Sequence, residues 1–411
     1  SEHAQLAVAA ARLARSAPRL VELPGPDSPL PAPVVNQVHG SDGAALAGPV
    51  SPAGAVVPVA DRAADTAPPG GAEERPVLLV YTSGSSGAVR GVPLRQRHIT
   101  ATDEALDGVV RLRPGDVVLQ LLPQYHVAGW TVLPLLALSR GVTVVLVPEF
   151  EPDEVLEAVG RHGATVTMAV PAMYGMLARS PRFAEVDLTS LRLAICGGAP
   201  LPPALLRTWL DRGVPLCQGY GLTEAGPNVL CVPPSDVARS AGSVGVPYPG
   251  VEVMLDGAEV GELLVRGPGV FDGYWSGDTG PLDHGWLRTG DLARRDERGW
   301  YRIVDRIDEM YTSGGEKVAP AEVEAALREH PAVAEAAVVG VPDDTWGSTG
   351  IAFVVSANGS DVDSDALREY CRGRLAGFKV PSRVVTVPRL PRAGIGKVRR
   401  DALRAMAVSR T

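Results

Sequence analysis

The chain has 411 residues, enough for two or three domains, and 45% of them are hydrophobic, enough for a large buried core. Its 39 Lys and Arg against 47 Asp and Glu give a formal net charge of -8. That balance argues against a nucleic-acid binder held by cations on phosphates, but not against a nucleotide site built from a few local charges and backbone N–H groups. The four cysteines, Cys196, Cys217, Cys231 and Cys371, show no CxxC spacing, so zinc and redox readings are weak and a reduced cytoplasmic compartment is expected. No apolar run approaches the ~18 residues of a membrane span. The opening does not read as a signal peptide, and the closing Ser409-Arg410-Thr411 is not a peroxisomal address.

In chain order, residues 1–23 read as an Ala/Leu-rich helix that Pro18 stops, followed by a short strand at 21–23. Residues 24–74, rich in Pro, Gly and Ala, read as an irregular connection with short strands near Val34 and Val56. From Pro76 the apolar runs VLLVYT, VVLQLLP, VTVVLVP, TVTMAV and LRLAICG alternate with helical stretches, the pattern of parallel strands with crossover helices. Residues 250–301 turn to short strands and Gly-rich turns (EVMLD, GELLVRG, GWYRIVD), which suits an antiparallel or barrel-like unit. Residues 308–411 have their own helix–strand alternation and the size of a small domain.

Directly after the first run comes Tyr81-Thr-Ser-Gly-Ser-Ser-Gly-Ala-Val-Arg-Gly91. Small residues let backbone N–H groups turn inward as an anion-binding concavity, and the hydroxyls of Thr82, Ser83, Ser85 and Ser86 add donors. A flexible linker is the alternative, but linkers rarely follow a buried strand directly. The segment is not a GxxxxGK[ST] loop, because no Lys-Ser/Thr pair closes it. Gln218-Gly-Tyr-Gly-Leu-Thr-Glu224 offers a carboxylate of the kind Mg²⁺ accepts while it bridges phosphates; a turn with a surface Glu is the plain alternative. Residues 197–200 (Gly-Gly-Ala-Pro) end a predicted strand, where open α/β sheets bind ligands.

These segments resemble the motifs of the adenylate-forming superfamily, which includes acyl-CoA synthetases and ligases. Seven motifs fall in the family's order across residues 80–400. The Ser/Gly segment is similar to the family's phosphate loop, with Val89 where Pro is usual and Arg90 where Lys is usual. The resemblance implies that Thr82, Ser83, Gly84, Ser85, Ser86, Gly87 and Arg90 embrace ATP phosphates. It implies that Gly198, Ala199 and Pro200 line the adenine pocket and that Gly219 and Gly221 let the backbone approach the ligand. Tyr220 would stack on adenine, Thr223 would touch phosphate, and Glu224 would hold magnesium. Gly285-Trp-Leu-Arg-Thr-Gly-Asp291 is similar to the segment whose Asp binds ribose. Arg306 would contact ribose or the α-phosphate, Asp308 would be the domain pivot, and Gly314 and Gly315 belong to the loop after it. Leu390-Pro-Arg-Ala-Gly-Ile-Gly-Lys397 places Lys397 as the cation that meets carboxylate and α-phosphate. His126, in a segment like the family's aromatic gate, would line the acyl pocket with Trp130 and residues 168–174, among them Met168, Met173 and Tyr174.

The resemblance implies a large α/β N-terminal domain of packed sheets with a barrel-like unit, residues 1–307, and a small mobile C-terminal α+β domain, residues 308–411. The family's segment ahead of the phosphate loop is longer than the one here, and the opening is expected to match the later part of the first subdomain. The implied reaction uses ATP and Mg²⁺ to convert a small carboxylic acid to acyl-AMP, then passes the acyl group to coenzyme A. A carrier protein acting in trans, a half-reaction enzyme and a degenerate acyl-adenylate binder are the alternatives. Either a monomer or a homodimer is compatible with the sequence.

Overall fold

Four of the apolar runs become neighbouring strands because they are buried on both faces, which only a sheet covered by helices permits. In the computed structural model, which describes residues 20–22, 72–83, 89–357, 359, 362–393 and 397–408, these are β4 (Val117–Gln120), β5 (Thr143–Leu146), β6 (Val166–Ala169) and β7 (Leu193–Cys196). They pair in parallel with β1 (Leu20–Glu22) and β8 (Leu216–Tyr220) in the order β1-β5-β4-β6-β7-β8. Short β9 (Leu230–Cys231) and β10 (Val246–Pro247) extend this sheet antiparallel at the β8 edge. The expected helix and strands of residues 1–19, Val34 and Val56 lie outside the described residues.

The first run differs from the expectation. Pro76–Ser83 (β2) pairs antiparallel with Val89–Arg95 (β3) and stands outside the parallel sheet. It is as apolar as its parallel counterparts, and an apolar run alone does not disclose its partner's direction. The Ser/Gly segment is therefore the connection of a hairpin, with Thr82 opposite Arg90.

The helices carry their own signals. After α1 (Gln96–Val110), short α2 (Ala128–Thr131) and α3 (Pro134–Ser139) comes α4 (Pro152–His162). It opens on Pro with Asp153 and Glu154 in the first turn, closes on Arg161 and His162, and stops at Gly163 with φ 59°. Charges thus oppose the helix dipole and glycine takes the left-handed stop. The crossovers α5 (Pro171–Arg179) and α6 (Pro203–Asp211) also begin with Pro. Five shorter strands, β11 (Glu252–Asp256), β12 (Val260–Arg266), β13 (Leu282–Asp283), β14 (Trp286–Arg295) and β15 (Tyr301–Arg306), form one sheet in the order β11-β12-β14-β13, with β15 on β14.

The chain separates into two compact units. The first holds the described residues up to Met254 with Leu264–Arg288 and Gly299–Tyr301; the second holds Leu255–Leu263, Thr289–Arg298 and the described residues from Arg302 on. Within the second lie the hairpin β16 (Tyr311–Ser313) and β17 (Glu316–Val318), then α7 (Pro320–Arg328), β18 (Val333–Asp343), β19 (Gly347–Ser356), α8 (Ser364–Arg372), β20 (Arg383–Thr386), β21 (Arg392–Ala393), β22 (Lys397–Val398) and α9 (Arg400–Val408). The three-stranded sheet β18-β19-β20 divides its side chains by period two. Val338, Ala352 and Val354 pack with Val323, Leu327 and Leu367; Val339, Ile351 and Phe353 pack with Leu403 and Ala407. Helices α7 and α8 thus cover one face and α9 the other. Among the described residues no helix is long and apolar enough to cross a membrane.

Candidate active site

Within the first unit two of the motif segments leave the carboxyl ends of parallel strands, where such sheets bind ligands. Residues 197–200 follow β7, and β8 ends in Gly219 and Tyr220. Gly198 has φ +79°, a conformation that favours glycine. Gln218 is buried and ties the two ends together, its Nε2 donating to the carbonyls of Ala199 at 3.2 Å and Gly219 at 3.0 Å. Its Oε1 is buried without a hydrogen-bond partner, an acceptor at the strand ends that a bound polar group could satisfy. Pro200 is exposed. Tyr220 is half-buried and Thr223 buried. Gly221 has a reason of its own: a Cβ there would lie 1.7 Å from the Pro227 carbonyl oxygen, so only glycine fits that turn with or without a ligand.

Thr223–Ala225 form one 3-10 turn, and it presents Glu224 to the β2–β3 hairpin. Tyr274 donates its hydroxyl to Glu224 Oε1 at 3.1 Å, and Thr82 Oγ1 approaches the same oxygen at 3.4 Å. The Arg90 guanidinium carbon sits 5.1 Å from the centre of the Tyr274 ring. Burial and then the Glu224 charge push the Tyr274 hydroxyl pKa above its ordinary value, so it stays a donor. Both contacts are on Oε1; among the described residues Oε2 receives no hydrogen bond. One hard carboxylate oxygen suits Mg²⁺, which needs only one or two protein carboxylates when phosphates share it. Ser83 lies on β2, and nothing of its side chain is described; Gly84, Ser85, Ser86 and Gly87 lie outside the described residues.

His126 and Trp130 belong to the segment that follows β4, which Gln120 holds by donating to the Gly129 carbonyl at 3.0 Å. His126 accepts the Ala128 N–H on Nδ1 at 3.2 Å, and burial holds its pKa below the ordinary value. The ring is therefore neutral near pH 7. Trp130 is buried and donates to the Gln124 carbonyl at 2.6 Å, and Met168 is buried at the end of β6. Tyr174 is not a pocket residue. It is fully buried, donates to the Ile195 carbonyl at 2.9 Å and packs edge-on against Trp209, ring centres 5.0 Å apart. Met173, its neighbour on α5, is half-buried.

Within the second unit, Arg306 gathers two acidic side chains. Its Nη1 lies 3.3 Å from Asp291 Oδ1 and 3.2 Å from the Thr289 carbonyl, and its Nε lies 3.3 Å from Asp308 Oδ1. Asp291 is buried. Gly314 and Gly315, at φ +59° and +88°, form the two-residue connection of β16 and β17, with Ser313 opposite Glu316. That turn needs positive φ twice. A Cβ on Gly314 would also lie 2.9 Å from the Trp346 ring. Lys397 stands opposite Ala393 in the β21–β22 hairpin; its side chain is outside the described residues.

Sequence reasoning missed Tyr274. It lies 50 positions from Glu224, in a Gly-rich stretch with no spacing signal, and only the fold brings them together.

The AMP-binding enzyme family matches residues 10–275, and the AMP-binding enzyme C-terminal domain matches residues 322–397. The chain belongs to the AMP-binding enzyme family. It is 41% identical over 338 residues to feruloyl-CoA synthase from Amycolatopsis sp, covering 80% of this chain and 69% of that one. It is 38% identical over 364 residues to indoleacetate–CoA ligase from Aromatoleum aromaticum, covering 85% and 71%. The structure of o-succinylbenzoate CoA synthetase from Bacillus subtilis in complex with its acyl-adenylate intermediate superposes with a TM-score of 0.71 at 34% identity, covering 79% of this chain and 68% of that one.

Proposed function

We propose that the chain joins a small carboxylic acid to coenzyme A at the expense of ATP. A carboxylate is a poor acyl donor and AMP is a good leaving group. In the first step a carboxylate oxygen attacks the α-phosphorus and pyrophosphate departs, giving acyl-AMP. In the second the coenzyme A sulfur attacks the acyl carbon, its proton is released and AMP departs. The observation that carries this reading is the meeting of Thr82 with Glu224, 142 positions apart: the strand leading into the Ser/Gly loop meets the candidate metal carboxylate. The relatives' names support coenzyme A as the acceptor, and all three name acids with an aromatic ring. An apolar or aromatic acid is therefore the proposed substrate class, received beside His126, Trp130 and Met168.

The roles follow from chemistry. Glu224 holds Mg²⁺, which neutralises phosphate charge. Thr82, Arg90 and the loop between them hold the phosphates, Gly198 to Pro200 and Tyr220 hold adenine, and Asp291 and Arg306 hold ribose and α-phosphate. Residues 308–411 act as the mobile domain with Asp308 as pivot, and Lys397 supplies the cation of the first step. The cytoplasm, where ATP and coenzyme A are both available, is the proposed compartment.

Pyrophosphate exchange over a panel of aryl and alkyl carboxylic acids tests the reading. Exchange with at least one acid, and AMP plus thioester when coenzyme A is added, is expected. Calorimetric binding of an acyl-AMP analogue with no exchange for any acid would make the chain a binder. Thioester formed only from preformed acyl-AMP would make it a half-reaction enzyme.

A further inference from the structure

We infer that Tyr274 is a positioning residue that aims the Glu224 carboxylate. The inference rests on the proposed metal role of Glu224 and adds to it. Tyr274 donates to Oε1 of Glu224 at 3.1 Å, which engages that oxygen and turns Oε2 toward a cation. A carboxylate otherwise free to rotate would lose torsional entropy on binding the metal; a pre-formed hydrogen bond removes that cost in advance.

The ring is itself fixed. It is buried and meets Phe271 edge-on with ring centres 5.0 Å apart. The backbone N–H of Tyr274 bonds the Asp278 carbonyl at 2.8 Å, and that of Gly277 bonds the Tyr274 carbonyl at 2.9 Å. Gly280, at φ +56°, lies so close that a Cβ there would come within 2.4 Å of Tyr274 Cε2. A hydroxyl held this way is a fixed donor rather than a side chain recruited by chance.

The other face of the relationship is Arg90. Its guanidinium lies over the Tyr274 ring at 5.1 Å, and its strand partner Thr82 approaches Glu224. A cation over the face of an aromatic ring is attracted by the ring's negative face. Tyr274 therefore links the return strand of the phosphate-loop hairpin to the carboxylate.

Tyr274→Phe tests this, because it keeps the ring and its packing on Phe271 and removes the hydroxyl that meets Glu224 and Arg90. The full chain is assayed for acid-dependent pyrophosphate exchange as Mg²⁺ is titrated, beside Glu224→Gln and the double variant. The Mg²⁺ concentration for half-maximal rate is expected to rise about tenfold in Tyr274→Phe, the scale of one hydrogen bond to a charged acceptor, with an unchanged thermal melt and a smaller change in rate at saturating Mg²⁺. In the Glu224→Gln background the same change should add little. If Glu224→Gln shifts the Mg²⁺ requirement and Tyr274→Phe does not, the positioning role is wrong and the metal role stands. If Glu224→Gln itself leaves the requirement unchanged, the metal role fails first. A loss of rate in Tyr274→Phe at every Mg²⁺ concentration, with the half-maximal concentration unmoved, means that the hydroxyl does not act through the metal site and overturns the inference.

Discussion

Arg306 donates through Nε to the carboxylate of Asp308, two residues on, at 3.3 Å. Both side chains are well exposed, 38% and 41%, so the pair contributes well under ~1 kcal/mol to stability. The backbone around it is a tight turn: Ile307 N–H bonds Gly290, and the Glu309 and Met310 N–H groups both reach the Arg306 carbonyl. Among the described residues the Asp308 N–H makes no hydrogen bond, so proline there removes none.

Asp308→Pro therefore stiffens the proposed pivot by fixing φ near about −65°. Thioester formation is expected to fall at least roughly tenfold more than adenylate formation, a difference of about 1.4 kcal/mol in barrier. Single-turnover assays of the two steps measure it. Equal losses in both, with the thermal melt unchanged, would remove the pivot role.

Glu224→Gln keeps the side chain's shape and an oxygen for Tyr274 and Thr82, but removes the charge. Magnesium-dependent ATP turnover is expected to drop by an order of magnitude or more at limiting Mg²⁺, since so few protein carboxylates hold this ion. Turnover that follows the parent's Mg²⁺ curve would end the metal assignment.

Much of the scaffold was legible because its physics is local. Val117–Gln120, Thr143–Leu146, Val166–Ala169 and Leu193–Cys196 are apolar on both faces, as parallel strands between helices must be. Pro76–Ser83 has the same composition and a different partner, and composition carries no direction. Tyr174 looked like a pocket residue because aromatic side chains serve cores and pockets equally; its bond to Ile195 and packing on Trp209 place it in the core. The Gln218, Thr82 and Tyr274 contacts join segments far apart in sequence, so no spacing rule could reveal them.

His98 supplies a pH dependence. It is buried at the start of α1, accepts the Arg95 N–H on Nδ1 at 3.1 Å, and lies 3.5 Å from Asp272. Burial first, and then the nearby Arg97 charge, lower its pKa to about 4 from 6.5. The unfolded chain then binds the proton more readily than the native one below about pH 6.5, so this contribution is complete above that pH and is lost as pH falls toward 4. Urea unfolding of the parent and His98→Gln should show the parent's stability falling more steeply between pH 7 and 4. Parallel curves would mean that His98 titrates alike in both states.

Lys397 separates the two half-reactions most sharply. It stands opposite Ala393 in the β21–β22 hairpin, within the proposed mobile residues 308–411, so if those residues move between steps, the lysine can serve only one of them. The charge that needs a cation is greatest when a carboxylate meets the α-phosphate. Lys397→Ala is therefore expected to slow adenylation by roughly 10²–10³, the value of one preorganised electrostatic donor. Supplied with preformed acyl-AMP and coenzyme A, the same variant should form thioester near the parent rate, because that step has no need of the cation. Rapid-quench measurement of each step with the same acid checks both halves. Normal adenylation in Lys397→Ala would end the assignment. A parallel loss in both steps would mean that the lysine supports the fold of its hairpin, and thermal melts would then show the variant destabilised.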